Sequence, residues 1–244
     1  MWNALFGDWG ITPPALWGKL PGHSDFVRSG VRRGEQEAWV SWLDEQDIHA
    51  GGPAAITARA GPIAFVLPPD TLAFARRRFV VGVIAPSTDR VGRHHPVVVY
   101  QQARPRWVQK HFEAQLRQPR DWQFWLTRAL ARHARAGGPA DLKATVWTVR
   151  ALWRNQRQAC IATGDEAQAD VHARRACALL DRGAGAAPSY DISAQLHGVR
   201  YLPWADWPQR LSGAGVESAF WQQDAQGRFV GAANRLHRLW GVAP

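Results

Sequence analysis

With 244 residues, 46% of them apolar and 20% charged, the chain can bury a substantial core and is too apolar for a disordered segment. No apolar run approaches the roughly 18 residues of a membrane-spanning helix, and the opening MWNALFGDWGITPP lacks the basic-then-apolar pattern of a secretory signal. The net charge of +10 is concentrated in residues 70–135, where 13 basic residues face 4 acidic ones, a local excess that suits an anionic partner. Only Lys19, Lys110 and Lys143 are lysine, however, and the arginine skew with abundant Ala, Gly and Trp matches the composition of a GC-rich genome. No nucleic-acid-binding motif accompanies the charge, so nucleic acid is not an expected partner. Cys160 and Cys177 match no metal or redox spacing and read as reduced, structural cysteines of a cytosolic protein.

In chain order, residues 15–20 form a short strand candidate stopped by Pro21-Gly22, and the polar cluster His23-Ser24-Asp25 runs into Phe26-Val27 and a basic turn at 28–34. A helix should begin near Glu35. Glu35 and Glu37 suit the positive end of its dipole, Ala38, Trp39, Trp42 and Leu43 form its apolar stripe, and Gly51-Gly52-Pro53 ends it. A strand over 63–67 is followed by a short helix around 70–78. Two runs, 79–85 and 96–101, then flank the polar segment PSTDRVGRHH. The first run is apolar at every position, with Phe79, Val81 and Val83 on one face and Val80 and Ile84 on the other. Such a strand has no wet face, so it belongs at the centre of a sheet with helices on both sides. The connection is too short for a crossover helix, which makes the two strands antiparallel neighbours.

Trp107, Val108, His111, Phe112 and Leu116 keep helical spacing, Pro119 breaks it, and Trp122, Trp125, Leu126, Ala129 and Leu130 resume it. Gly137-Gly138-Pro139 is the clearest punctuation, dividing a region 1–139 from a helical and hairpin region 140–244 packed on the same domain. Leu142, Val146, Val149 and Trp153 predict a helix, as do residues 165–181 with Val171, Leu179 and Leu180 inward and Gly183 as the stop. A Gly/Ala/Pro loop covers 183–190. Strand candidates lie at 195–202 and 218–223, the second turning at 224–227 into 228–232. The expected architecture is α/β of the α+β sandwich kind, an antiparallel central sheet flanked by helices on both faces. The fourteen tryptophans are spread along the chain rather than grouped as a stacking platform, and most belong to the core.

No glycine-rich phosphate loop, zinc-protease helix or nucleophile elbow is present. Asp25, Asp89 and His94 are the residues a hydrolase would use if their loops met, but His-Ser-Asp in a row is not a triad and His94-His95 cannot both point inward. Asp25 and Asp89 sit beside arginines (Arg28; Arg90 and Arg93) in loops leaving buried strands, where carboxylates accept backbone N–H bonds or pair with a guanidinium. Gly92 allows a backbone angle that other residues resist.

Two strings carry a family resemblance. Trp17-Gly18-Lys19-Leu20-Pro21 through Asp25-Phe26-Val27 is one, and Gly82-Val83-Ile84-Ala85-Pro86-Ser87 with Asp89-Arg90-Val91-Gly92-Arg93 closing on Pro96 is the other. In that order, with the Trp39–Trp42–Leu43 helix between them, they resemble the TagF/ImpM family of type VI secretion-associated proteins. The resemblance implies a cytoplasmic, non-enzymatic accessory protein of a Gram-negative contractile secretion apparatus. Such a protein acts as a post-translational repressor that binds a forkhead-associated (FHA) scaffold, with no cofactor, metal or small-molecule substrate. It also implies a longin or profilin-like arrangement, and makes Lys19, Asp25, Asp89, Arg90 and Arg93 candidates for binding or bracing. Two other readings compete: a hydrolase built on Asp25, Asp89 and His94, and a binder of nucleic acid through the basic stretch.

Overall fold

The computed structural model describes residues 10–46, 61–115, 122–135, 142–161, 166–181, 216–223 and 229–240. The fully apolar run becomes β4 (Phe79–Ala85) and pairs antiparallel with β5 (Val97–Ala103), from Phe79 opposite Ala103 to Ala85 opposite Val97. Around this hairpin lie β1 (Ala15–Gly18), β2 (Val27–Ser29), β3 (Ile63–Leu67), β6 (Ala219–Gln223) and β7 (Phe229–Ala233). The sheet order is β2-β1-β5-β4-β3-β6-β7, with every neighbouring pair antiparallel. The helices are α1 (Glu35–Glu45), α2 (Pro105–Gln115), α3 (Trp122–Arg135), α4 (Leu142–Ile161) and α5 (Glu166–Asp181). An α+β fold with an antiparallel sheet is therefore what the fully apolar run and its short connection foretold. None of the described helices is long and apolar enough to cross a membrane.

Each face of β4 has its own core. Phe79, Val81, Val83 and Ala85 join Trp122, Trp125, Leu126 and Leu130 of α3, Val149 and Leu152 of α4 and Ala173, Ala176 and Leu180 of α5. Val80 and Ile84 join Trp39, Trp42 and Leu43 of α1, with Leu236 from a 3-10 turn after β7 and Trp240 just beyond it. Fully burying a side chain of this size contributes about 1.5–3 kcal/mol, so the doubly covered strand holds the two layers together. From α3, the buried Gln123 side-chain amide donates to the Phe65 carbonyl of β3 (2.9 Å) and the Gly82 carbonyl of β4 (3.2 Å), which fixes that helix to the sheet.

The opposite layer has a polar anchor of its own. Glu35, which the dipole argument places at the start of α1, is 3% exposed. Its Oε2 accepts from the Arg32 N–H (2.8 Å) and the Tyr100 hydroxyl (2.8 Å), and its Oε1 from the Gln102 side-chain amide (2.9 Å). Burial and the Glu35 charge both push the Tyr100 hydroxyl pKa above its ordinary range, so it stays a donor.

Three sequence expectations change. Residues 70–78 form a chain of tight turns instead of a helix. Asp70 and Arg77 hold φ of 67° and 58°, outside the right-handed helical region, and the N–H groups of Ala75 and Arg78 bond three residues back to Leu72 and Ala75. The basic turn at 28–34 begins as a strand, since β2 pairs with β1. On α5 the inward face is Ala173, Ala176 and Leu180, with Leu179 partly buried and Val171 exposed. The expected features at 51–53, 119, 137–139, 183–190, 195–202 and 224–227 lie outside the described residues. Whatever lies between, β6 bonds to β3, so residues beyond 140 complete the same sheet.

Gly18 fits this sheet only because it has no side chain. Its φ is +136°, and a β-carbon there would overlap the Pro96 carbonyl oxygen and stand 2.6 Å from Val97 Cα. Gly18→Ala should therefore cost about 3 kcal/mol or abolish folding. Gly92→Ala, at φ +86° with open space around it, should cost only about 1 kcal/mol. Urea unfolding of the two variants checks the ranking.

Candidate functional site

Beyond Ala85 and Val97 the hairpin continues as a narrow ladder. The His95 N–H donates to the Ser87 carbonyl (3.1 Å), and Thr88 bridges His94. The chain then reverses within Asp89–Arg93, where the Asp89 N–H bonds to the Arg93 carbonyl (3.0 Å) and Gly92 supplies the left-handed angle, at φ 86°. Asp89 closes this turn with its side chain. Its Oδ1 accepts from the backbone N–H groups of Val91 (3.0 Å) and Arg93 (2.8 Å), and its Oδ2 accepts from Arg93 Nε (2.7 Å) and Lys19 Nζ (2.9 Å). The side chain is wholly inaccessible and that of Lys19 nearly so, hence the pair bridges β1 and the hairpin inside the protein.

Further bonds join the two loops. The Arg90 N–H donates to the His23 carbonyl (2.9 Å), and Arg93 Nη2 donates to the Ser24 carbonyl. Arg93 also stands 3.7 Å from Asp25, but that carboxylate is 93% exposed, and an ion pair so hydrated contributes little. All five charged candidates thus meet at one end of the sheet, with unlike roles. Lys19 and Asp89 are buried, Arg93 spans inside to outside, and Asp25 and Arg90 face solvent. His94 is exposed and His95 buried, as opposite-facing neighbours must be.

Sequence reasoning missed the ring cluster under this surface. Phe26 stacks on the buried Trp17 (5.4 Å between centroids, 9° between planes) and meets the edge of His95 at 4.6 Å, while Lys19 Nζ lies 5.4 Å from its centroid. His95 is oriented by donating Nδ1–H to the Pro96 carbonyl (2.8 Å). Phe26 nevertheless remains 45% exposed and Val91 63% exposed. An apolar residue directly after a charged one in a loop, Asp25-Phe26 in one string and Arg90-Val91 in the other, was the available signal. His23, given no role from the sequence, accepts the Leu142 N–H at Nε2 (3.1 Å) and so satisfies one of the open donors at the start of α4. Among the described residues, no three His, Cys, Asp or Glu are grouped to hold a metal ion.

The family model of the TagF N-terminal domain, type VI secretion system-associated, matches residues 15–149, more than half of the chain. The chain belongs to the TagF family. A comparison with curated proteins gave no match. Among solved structures, the crystal structure of PA0076 from Pseudomonas aeruginosa PAO1 is similar at 25% identity and a TM-score of 0.43. That likeness covers 57% of this chain and 62% of PA0076, less than two thirds of its length. The TagF match begins at the first residue of β1 and contains both loops, all five charged candidates and the His23–Leu142 contact.

In this TagF-family chain the Asp89 carboxylate is a poor proton acceptor. Burial alone would raise its pKa. The Lys19 ammonium, the Arg93 backbone and guanidinium N–H groups and the Val91 N–H outweigh that and hold it well below the ordinary carboxylate range. A depressed pKa means stability that is present above the unfolded-state value of about 4 and lost as pH falls through the folded-state value. Asp89→Asn keeps an oxygen for the two backbone donors but turns an NH2 toward two cations. The variant should melt several degrees below the wild type at neutral pH. The gap should narrow progressively as pH falls below about 4, measured by thermal denaturation across pH.

Proposed function

We propose that this TagF-family protein is a non-enzymatic, cytoplasmic repressor that acts after translation, by binding an FHA-domain scaffold of the type VI secretion system. The observation that carries this reading is the fate of the motif charges. Lys19 and Arg93 both bond to the Asp89 carboxylate around a fixed turn, which leaves that carboxylate no free lone pair with which to act as a base on a substrate. What the turn presents outward is a rigid surface of Phe26, Val91 and Arg90. Half-exposed apolar residues held in place by internal bonds lose little entropy on docking, which favours recognition of a partner.

Titration calorimetry with the cognate FHA scaffold, without nucleotide or metal, tests the reading. Binding is expected in the micromolar range or tighter, and its absence there would overturn the partner assignment. Combining Arg90→Glu with Val91→Asp should weaken binding at least tenfold, about 1.4 kcal/mol, while leaving the melting temperature unchanged because both side chains are exposed. Unchanged affinity would place the interface elsewhere.

A further inference from the structure

The register that sets Asp89 at one end of the central hairpin also decides what meets at the other end. Phe79 lies opposite Ala103, so Arg78 and Arg104 leave the hairpin side by side, with Arg76 and Arg77 in the turn before β4 and Arg106 in the first turn of α2. Lys110 follows Arg106 one turn later on the same helical face. Arg76, Arg77, Arg106 and Lys110 are exposed and pair with no carboxylate among the described residues. Arg77 holds a φ of 58°, a left-handed conformation that glycine or asparagine adopts more readily than arginine.

We propose that this end of the hairpin is a second docking surface, which takes a protein segment rich in aspartate and glutamate. Guanidinium forks bind carboxylates through paired N–H bonds, and a cluster of them without internal counter-ions draws an acidic partner from a distance. One observation favours a polypeptide over nucleic acid. Among the described residues, the exposed large apolar side chains, Phe26, Val40, Val91, Trp147 and Val171, all lie outside this patch, while Phe74 and Trp107 pack against the two cores, so none of these rings offers bases a platform. The surface is separate from the Phe26–Val91 face and does not depend on the FHA reading.

Fluorescence anisotropy of a labelled oligoglutamate peptide with the full chain tests this. Binding should be measurable at low salt and weaken as salt rises. The variant R76E/R77E/R106E should bind at least tenfold more weakly, whereas R150E/R154E, reversing two exposed arginines of α4, should bind like the wild type. Both should keep the wild-type melting temperature. Arg77→Gly relaxes the backbone, so it should melt no lower than wild type yet bind several-fold more weakly. Equal binding by wild type and R76E/R77E/R106E, or no binding by wild type at low salt, would overturn the proposal. So would tighter binding of a DNA duplex or of phosphatidylserine vesicles that is lost in the same variant, which would assign the patch to that anion instead.

Discussion

The four bonds to the Asp89 carboxylate are the constraint on which this end of the molecule depends. They come from two segments 70 residues apart, and the two that close the turn are backbone N–H groups. Without the carboxylate, the buried Lys19 ammonium would lose its counter-charge and face the inner edge of the Arg93 guanidinium, a costlier arrangement than the loss of a surface ion pair. The consequence spreads outward in steps. Lys19 fixes the exit of β1, the exit of β1 places His23 and Phe26, and His23 in turn holds the first N–H of α4. Order at the turn is thereby passed to the helical layer through hydrogen bonds alone.

The sheet could be read from the sequence where a residue's neighbours are close in the chain. The run Phe79–Ala85 declares its two buried faces by having no polar position, and the short connection forces antiparallel pairing. The placement of β6 beside β3 was not legible, because about 150 residues separate them and no local pattern records which edge a late strand joins. Residues 70–78 misled for a related reason. Their composition permits a helix, but the turn is imposed by Leu72 and Ala75 packing beneath it, a tertiary demand that overrides local propensity. Val171 was assigned inward by spacing, whereas α5 meets its neighbour through the small residues Ala173 and Ala176, which allow close approach.

Charged residues were the least legible of all, since a sequence shows their identity but not their surroundings. Glu35 is a favourable helix-start residue by any local rule, and its dipole role is real. Yet its larger task is to receive the Tyr100 hydroxyl and the Gln102 amide and so tie α1 to β5. Asp89 and Asp25 looked alike in sequence, each a carboxylate beside arginines in a loop. One proves to be the most enclosed charge of the site and the other is open to water. The tryptophans follow the simpler rule. Trp17, Trp39, Trp42, Trp122, Trp125, Trp221 and Trp240 are buried, filling the space between layers, while Trp147 stands exposed on α4.

The two ends of one hairpin therefore make opposite use of the same residue type. At the Asp89 end, arginine and lysine find their counter-charge within the chain, so a substitution there is felt first as lost stability and only through it as lost binding. At the Phe79–Ala103 end, Arg76, Arg77 and Arg106 pair with no carboxylate among the described residues, and in water such exposed cations add little to the fold and repel one another weakly. In the proposed complex an acidic segment supplies the counter-charge that these cations, one of them on a left-handed backbone, do not find among the described residues. Net charge alone does not make that distinction. It requires knowing, for each cation, whether its carboxylate lies inside the molecule or has still to arrive.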